Sequence, residues 1–231
     1  MDTRSPASIS QLLARTMSHY GRLDVLVYNS GAIWWASVEH TPLSRFQLMQ
    51  RVNVEGLYAT VHAALPHFQA NDWTGRIVVV SPPIYSRFFR GKTAYAMGKV
   101  GMSVLTKGLA MDWVREGKPR MAITSVWPAA AIRSAATLDL ESEAKHALRE
   151  PSIFSDAILA ILDAPVDEVS GCLELDEDFL RKKGATDFEK YSLVPGATPR
   201  RIMPKRLPDL RVEEEEDEGR RMDSRKLRGR L

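Results

Sequence analysis

Ile77-Val78-Val79-Val80-Ser81, followed further along by Tyr95-Ala96-Met97-Gly98-Lys99, is the stretch on which fold and chemistry turn. The apolar run reads as a buried strand. Ser81 closes it, so its hydroxyl is expected at a strand's carboxyl end, where open α/β sheets bind ligands. Tyr95 and Lys99 stand four apart and on a helix share one face. An ammonium beside a phenol favours the phenolate and lowers its pKa from near ~10. A phenol tuned that way works as acid or base near neutral pH. Chance supplies about a quarter of a Tyr-x-x-x-Lys match in a chain of this composition, so the neighbours of the pair decide its meaning.

Those neighbours alternate helix and strand, as a parallel sheet requires. Ser8 to Tyr20 predicts a helix with Leu12, Leu13 and Met17 inward, and Gly21 is its stop signal. Asp24-Val25-Leu26-Val27-Tyr28 reads as a strand running into Asn29-Ser30-Gly31-Ala32. Thr41-Pro42 opens a helix, Thr offering a capping oxygen and Pro losing nothing at the first helical position. That helix is expected to reach about Leu65 and contains Arg51-Val52-Asn53-Val54-Glu55-Gly56. The helix of Tyr95 and Lys99 should continue to near Arg115. Ala122 to Trp127 is a strand ending at Pro128, with Ser134 beyond; Ser152 to Leu162 is a further helix, and Cys172 to Leu175 a last strand.

As an ordered set these segments resemble the short-chain dehydrogenase/reductase family. The set comprises a loop similar to Asn-Asn-Ala-Gly, a helix Asn, a strand-end Ser, Tyr-x-x-x-Lys, and a Pro followed by a hydroxyl residue. Ser81-Pro82-Pro83, Trp127-Pro128 with Ala131 to Ala136, and Asp176-Glu177-Asp178-Phe179-Leu180 are similar to its hydroxysteroid dehydrogenase-like subgroup. The resemblance implies a Rossmann-like, doubly wound parallel sheet over residues 1–196 and an NAD(P)-dependent oxidoreductase acting on an alcohol or carbonyl, lipid-like bodies included. It implies Tyr95 as general acid/base and Lys99 as its electrostatic partner and ribose ligand. Ser81 would hydrogen-bond the substrate oxygen, and Asn53 would hold a relay water. Asn29, Gly31, Pro128 and Ser134 would line the cleft for NADP or NAD. Tyr28 replaces the loop's first Asn, Ala129 the Gly after Pro, and Ser134 the usual Thr.

The family's Thr-Gly-x-x-x-Gly-x-Gly turn, which cradles a pyrophosphate at a helix N-terminus, is not found in this sequence. Met1-Asp2-Thr3-Arg4 resembles the end of the family's third strand, so the sheet is expected to lack its first strands. Two alternatives to an enzyme follow from the missing turn: a catalytically silent homologue that binds a partner, or a late-started reading frame with no stable activity. The strand Val25-Leu26-Val27-Tyr28 would then lie at an edge, open to a homo-oligomer or to pairing with another chain.

Composition narrows the classes further. The net charge of +3 resides entirely in residues 197–231, which carry eleven Arg/Lys and eight Asp/Glu, so the body is neutral and nucleic-acid binding is not expected. That segment, with the run Glu213 to Glu218, reads as a disordered charged tail. No apolar run reaches the ~18 residues of a membrane span, and no signal-peptide pattern opens the chain. Cys172 is the single cysteine and suits a reducing compartment. The five His show no metal-ligand pairing, so no metal site is expected. Leu140, Ala144 and Leu148 fall four apart and would share one face of a lid helix. Trp34 and Trp35 read equally as pocket wall or core. Gly229-Arg230-Leu231 keeps the basic and Leu positions of a Ser-Lys-Leu peroxisomal address but has Gly for Ser, which favours a cytoplasmic location over a peroxisomal or mitochondrial one.

Overall fold

The computed structural model describes residues 1–137, 142–212 and 224. Helix α1 (Pro6–Tyr20) begins where Ser5 accepts a hydrogen bond from the Ser8 N–H at 3.3 Å. It ends at Gly21, whose φ of 75° suits glycine. Strand β1 (Val25–Tyr28) follows, then α2 (Leu43–Met49), a π-helical turn (Gln50–Glu55) and α3 (Gly56–Ala70). Next come β2 (Gly75–Val80), α4 (Thr93–Arg115) and β3 (Met121–Trp127). The short strands β4 (Ala131–Ile132) and β5 (Leu148–Arg149) flank a 3₁₀ segment, Ser142–Ala147. Helices α5 (Ser152–Asp163) and α6 (Val166–Val169), strand β6 (Leu173–Leu175) and helix α7 (Asp176–Lys182) complete the body.

The main sheet has the order β1-β2-β3-β6 and is parallel throughout, with Val27 opposite Val78, Ile77 opposite Ile123 and Trp127 opposite Leu175. Side chains alternate across it, as the two-residue period of a strand demands. Ile77, Val79 and Ile123 pack on one face beneath Ile9 and Leu13 of α1, Leu57, Val61 and Phe68 of α3, and Met102 and Trp113 of α4. Val78, Ala122 and Val126 face the other way, under Ile153, Ala157 and Ile161 of α5 and Phe179 of α7. Burying each of these larger side chains contributes about 1.5–3 kcal/mol. Both faces of β2 and β3 are therefore covered, which makes the layout a doubly wound α/β sheet, while Val25 and Val27 of the edge strand β1 stay exposed.

Several local expectations are corrected. Residues 1–4 form no strand; the Asp2 carboxylate instead takes the Arg4 guanidinium at 2.8 Å and the Arg4 N–H at 2.9 Å, which curls the segment into α1. Thr41 does not cap α2, because its hydroxyl donates back to the Ser37 carbonyl. The single helix expected from Thr41 to Leu65 is broken by the π turn, and α3 continues through Pro66 to Ala70. The expected lid helix is replaced by the 3₁₀ segment and by β5, where Leu148 pairs with Ala131; Leu140 lies outside the described residues. Packed chain extends past Gly196: Arg201 bridges to Ala130, and Met203 is buried against Ala129 and Leu175. The acidic run at Glu213 and the terminal Gly229-Arg230-Leu231 lie outside the described residues. Among the described residues no helix is long and apolar enough to cross a membrane.

Candidate active site

The carboxyl ends of β1 and β2 open toward one flank of α4, and there Gly31, Asn53 and Lys99 come together. Tyr95 and Lys99 lie on the first turns of α4, and both are almost fully buried. The Lys99 ammonium donates to the Val80 carbonyl at 2.9 Å and sits 5.4 Å from the centre of the Trp127 ring. A methyl group placed on Gly31 would lie 3.2 Å from Lys99 Nζ and 3.5 Å from Asn53 Oδ1, so glycine leaves this floor open. Asn53 is held by two backbone bonds: its Oδ1 accepts from the Ala32 N–H at 2.9 Å, and its Nδ2 donates to the Ala32 carbonyl at 3.0 Å. It projects from the π turn, a distortion that recurs at functional sites.

Electrostatics here differ from the sequence expectation. Burial raises the Tyr95 pKa above its ordinary value, because the charged phenolate loses water. Burial also brings Lys99 down to about 8. The expected depression of Tyr95 by Lys99 is absent in this arrangement, since the ammonium is bonded to Val80 and forms no hydrogen bond to the phenol. The Tyr95 ring is instead enclosed by aromatics. Trp35 meets it edge-on at 6.2 Å between centroids and Phe88 at 6.3 Å, and Phe88 in turn touches Trp127 at 5.9 Å. Trp35 is 59 % exposed and stands as wall, not core.

Ser81 lies deeper than the sequence suggests. Its side chain is wholly buried, with Oγ 2.8 Å from Ser125 Oγ of β3 and 2.9 Å from Ser103 Oγ of α4. Ser103 also donates to the Pro82 carbonyl at 2.6 Å, and Ser125 donates to the Ser81 carbonyl. Three hydroxyls thus pin the end of β2 to β3 and α4, and Ser81 forms no hydrogen bond to Tyr95. Its place is beneath the cleft. The reason is local: strand alternation at Val80 and Ser81 turns the serine toward two hydroxyl neighbours that sequence spacing alone does not reveal. Asn29 and Ser134 are exposed and their side chains form no hydrogen bond among the described residues, while Pro128 is half-buried at the end of β3.

Several contributors carried no clear signal in the sequence. Gln50 Nε2 is buried without a partner among the described residues, and it lies 3.5 Å from where a methyl on Gly98 would stand, one helical turn before Asn53. Asp176 and the segment 201–203 grip the loop after β3 from opposite sides. Asp176 Oδ1 accepts the Ala129 N–H at 2.8 Å, and the Ile202 N–H donates to the Ala129 carbonyl at 2.8 Å. Tyr85, in the loop after β2, donates to Met203 Sδ at 3.4 Å. The two Arg201–Asp178 bonds fasten this strap to α7. Asp176 stood in a motif without a role, and Arg201 and Met203 lay in a stretch with no apolar periodicity.

Residues 1–143 match the family described as short chain dehydrogenase. Hydroxysteroid dehydrogenase-like protein 2 of Danio rerio is 32 % identical over 200 residues, covering 85 % of this chain and 46 % of the relative. The Mus musculus protein of that name is 30 % identical over 221 residues, covering 94 % and 42 %. The chain thus spans about half the length of the curated relatives it matches. A putative dehydrogenase from Xanthomonas campestris superposes with a TM-score of 0.75 at 32 % identity, covering 92 % of this chain and 75 % of that one. A short chain dehydrogenase from Mycobacterium thermoresistibile gives a TM-score of 0.77 at 32 % identity, covering 87 % and 71 %. With the parallel sheet and the buried Tyr95–Lys99 face already in place, these matches settle the family: the chain belongs to the short chain dehydrogenases.

Proposed function

We propose that this chain is an NAD(P)-dependent oxidoreductase that interconverts an alcohol and a carbonyl on a small-molecule substrate, with Tyr95 moving the proton. The observation that supports it most is the convergence of Gly31, Asn53 and Lys99 at the carboxyl ends of β1 and β2, on the helix face that carries Tyr95.

A nicotinamide dinucleotide fits one end of this site. The floor left open by Gly31, with an ammonium and an amide beside it, suits a ribose and its hydroxyls. Lys99 would hold that end, with Asn53 fixing the Ala32 backbone beside it and Pro128 along the wall. The sequence contains no glycine-rich turn to receive the pyrophosphate end. When bound, the dinucleotide supplies or accepts hydride.

Tyr95 gives its phenolic proton to the substrate oxygen in reduction and takes it back in oxidation. Tyr95 is buried beside Trp35 and Phe88, and that loss of water favours the neutral phenol, which acts first as an acid. Lys99 stabilises the phenolate left behind once its ammonium turns from the Val80 carbonyl. Asn53, locked to Ala32, holds the backbone around the relay; the unpartnered Gln50 amide offers a donor nearby. Ser81 supports the floor through Ser103 and Ser125.

The test is a titration of the purified chain with NADH and NADPH, followed by carbonyl reduction with Tyr95→Phe as control. Turnover should fall about 10²–10⁴-fold in the variant while dinucleotide affinity is kept. Equal turnover by the two proteins would remove the assignment.

A further inference from the structure

Lys92 is a cation that the proposed chemistry does not use. It immediately precedes α4, and its ammonium lies 4.2 Å from the centre of the Phe88 ring and 5.9 Å from that of Trp35. Those are the two rings that pack on Tyr95. The side chain is half-buried, and loss of water pushes its pKa down. Among the described residues it forms neither a hydrogen bond nor an ion pair, so three N–H donors have only π faces and residual water as partners. Lys118 makes the contrast: it stands 3.4 Å from the centre of Trp73 but also binds the Glu116 carboxylate at 2.6 Å.

Among the described residues the surroundings of Lys92 supply no counter-charge. Arg87 and Arg90, in the same loop, are exposed and unpaired among the described residues. The facing loop, 33–40, holds one carboxylate, Glu39, and it forms no ion pair. A cation–π contact is worth about 0.5–2 kcal/mol and leaves the N–H donors free. A carboxylate or phosphate oxygen would meet them with charge-assisted bonds.

We propose that Lys92, between Phe88 and Trp35, binds a carboxylate or phosphate on a substrate whose apolar body lies against the same rings beside Tyr95. This rests on the active-site reading above and names the substrate class: an anionic molecule with an apolar, ring-stacking body.

The probes are 2-naphthoate, 2-naphthyl phosphate and the uncharged near-isostere 2-naphthamide, titrated calorimetrically into the chain without dinucleotide. Wild type should bind at least one anion about tenfold or more tightly than the amide, as a hydrogen bond to a charged group implies. The phosphate and carboxylate arms show which anion is preferred. Lys92→Met should abolish the preference and Lys92→Arg should keep most of it; Tyr95→Phe should keep it too. Equal binding of anion and amide, a preference that survives Lys92→Met, or no binding of any probe would each overturn the proposal. The readout needs no hydride transfer. A chain that shows the Lys92-dependent preference but no turnover would defeat the proposed reaction and leave this site standing; turnover on neutral carbonyls with no preference would do the reverse.

Discussion

Asp176 Oδ1 accepts the Ala129 N–H at 2.8 Å, which ties the first residue of α7 to the loop that ends β3. The same oxygen takes the Glu177 N–H at 2.6 Å, while Oδ2 is buried with no partner among the described residues. Burial pushes this carboxyl up to about 6, with the two backbone bonds, the Glu177 charge and Arg149 as smaller influences. The folded protein therefore holds a proton that the unfolded chain has lost between about pH 4 and 6. Stability from this group is present below that window and declines as pH rises through it. The decline is on the order of 2–3 kcal/mol. Urea unfolding of Asp176→Asn should show a flatter profile from pH 4 to 6.5 than wild type. Parallel profiles would contradict it.

The strap of residues 201–203 should open when its latch is removed. Arg201 binds Asp178 through two nitrogens and is half-exposed, so Arg201→Ala should cost only about 1 kcal/mol globally. The local effect is larger: the Ile202 and Met203 amides should lose exchange protection. Hydrogen exchange followed by mass spectrometry reads this directly.

Lys99 titrates in the opposite sense to Asp176. Its folded pKa of about 8 lies below the ordinary 10.5, so the unfolded chain binds the extra proton between them. Stability should rise with pH across that window and fall again as pH drops through 8. The gain reaches on the order of 3 kcal/mol and should vanish in Lys99→Met. Denaturant midpoints at pH 7.5, 8.5 and 9.5 for both proteins check it.

Gly31→Ala should damage binding more than folding. Gly31 is exposed, but the added methyl would stand 3.2 Å from Lys99 Nζ and narrow the floor of the cleft. Dinucleotide affinity should fall severalfold with the melting temperature nearly unchanged. Fluorescence titration beside thermal melts separates the two.

Gly75→Ala should damage folding. A methyl there would sit 2.4 Å from two carbons of the Phe68 ring, which is completely buried under the sheet. Overpacking of this kind costs about 1–3 kcal/mol. An unchanged denaturant midpoint would show that the ring has room to move.

Much of this molecule was legible in one dimension. Apolar runs such as Ile77 to Val80 show a strand, and helix-spaced residues such as Tyr95 and Lys99 show a shared face, because these patterns depend only on backbone period. Gly21 marks the end of α1 through its own conformational preference, which acts within a few residues, whereas the start lies at Ser5, ahead of the expected Ser8. The tertiary structure alone decided where the side chains find partners. It joined Ser81 to Ser125, 44 positions away, and so set the expected substrate ligand within a buried cluster of hydroxyls. It bonded Lys99 to the Val80 carbonyl and buried Tyr95, which reversed the expected direction of the phenol's pKa. It brought Arg201 and Met203 back onto the β3 loop from a stretch without periodicity. Hydrogen bonds and desolvation depend on which groups meet after the chain has folded back on itself, and sequence spacing carries no record of those meetings.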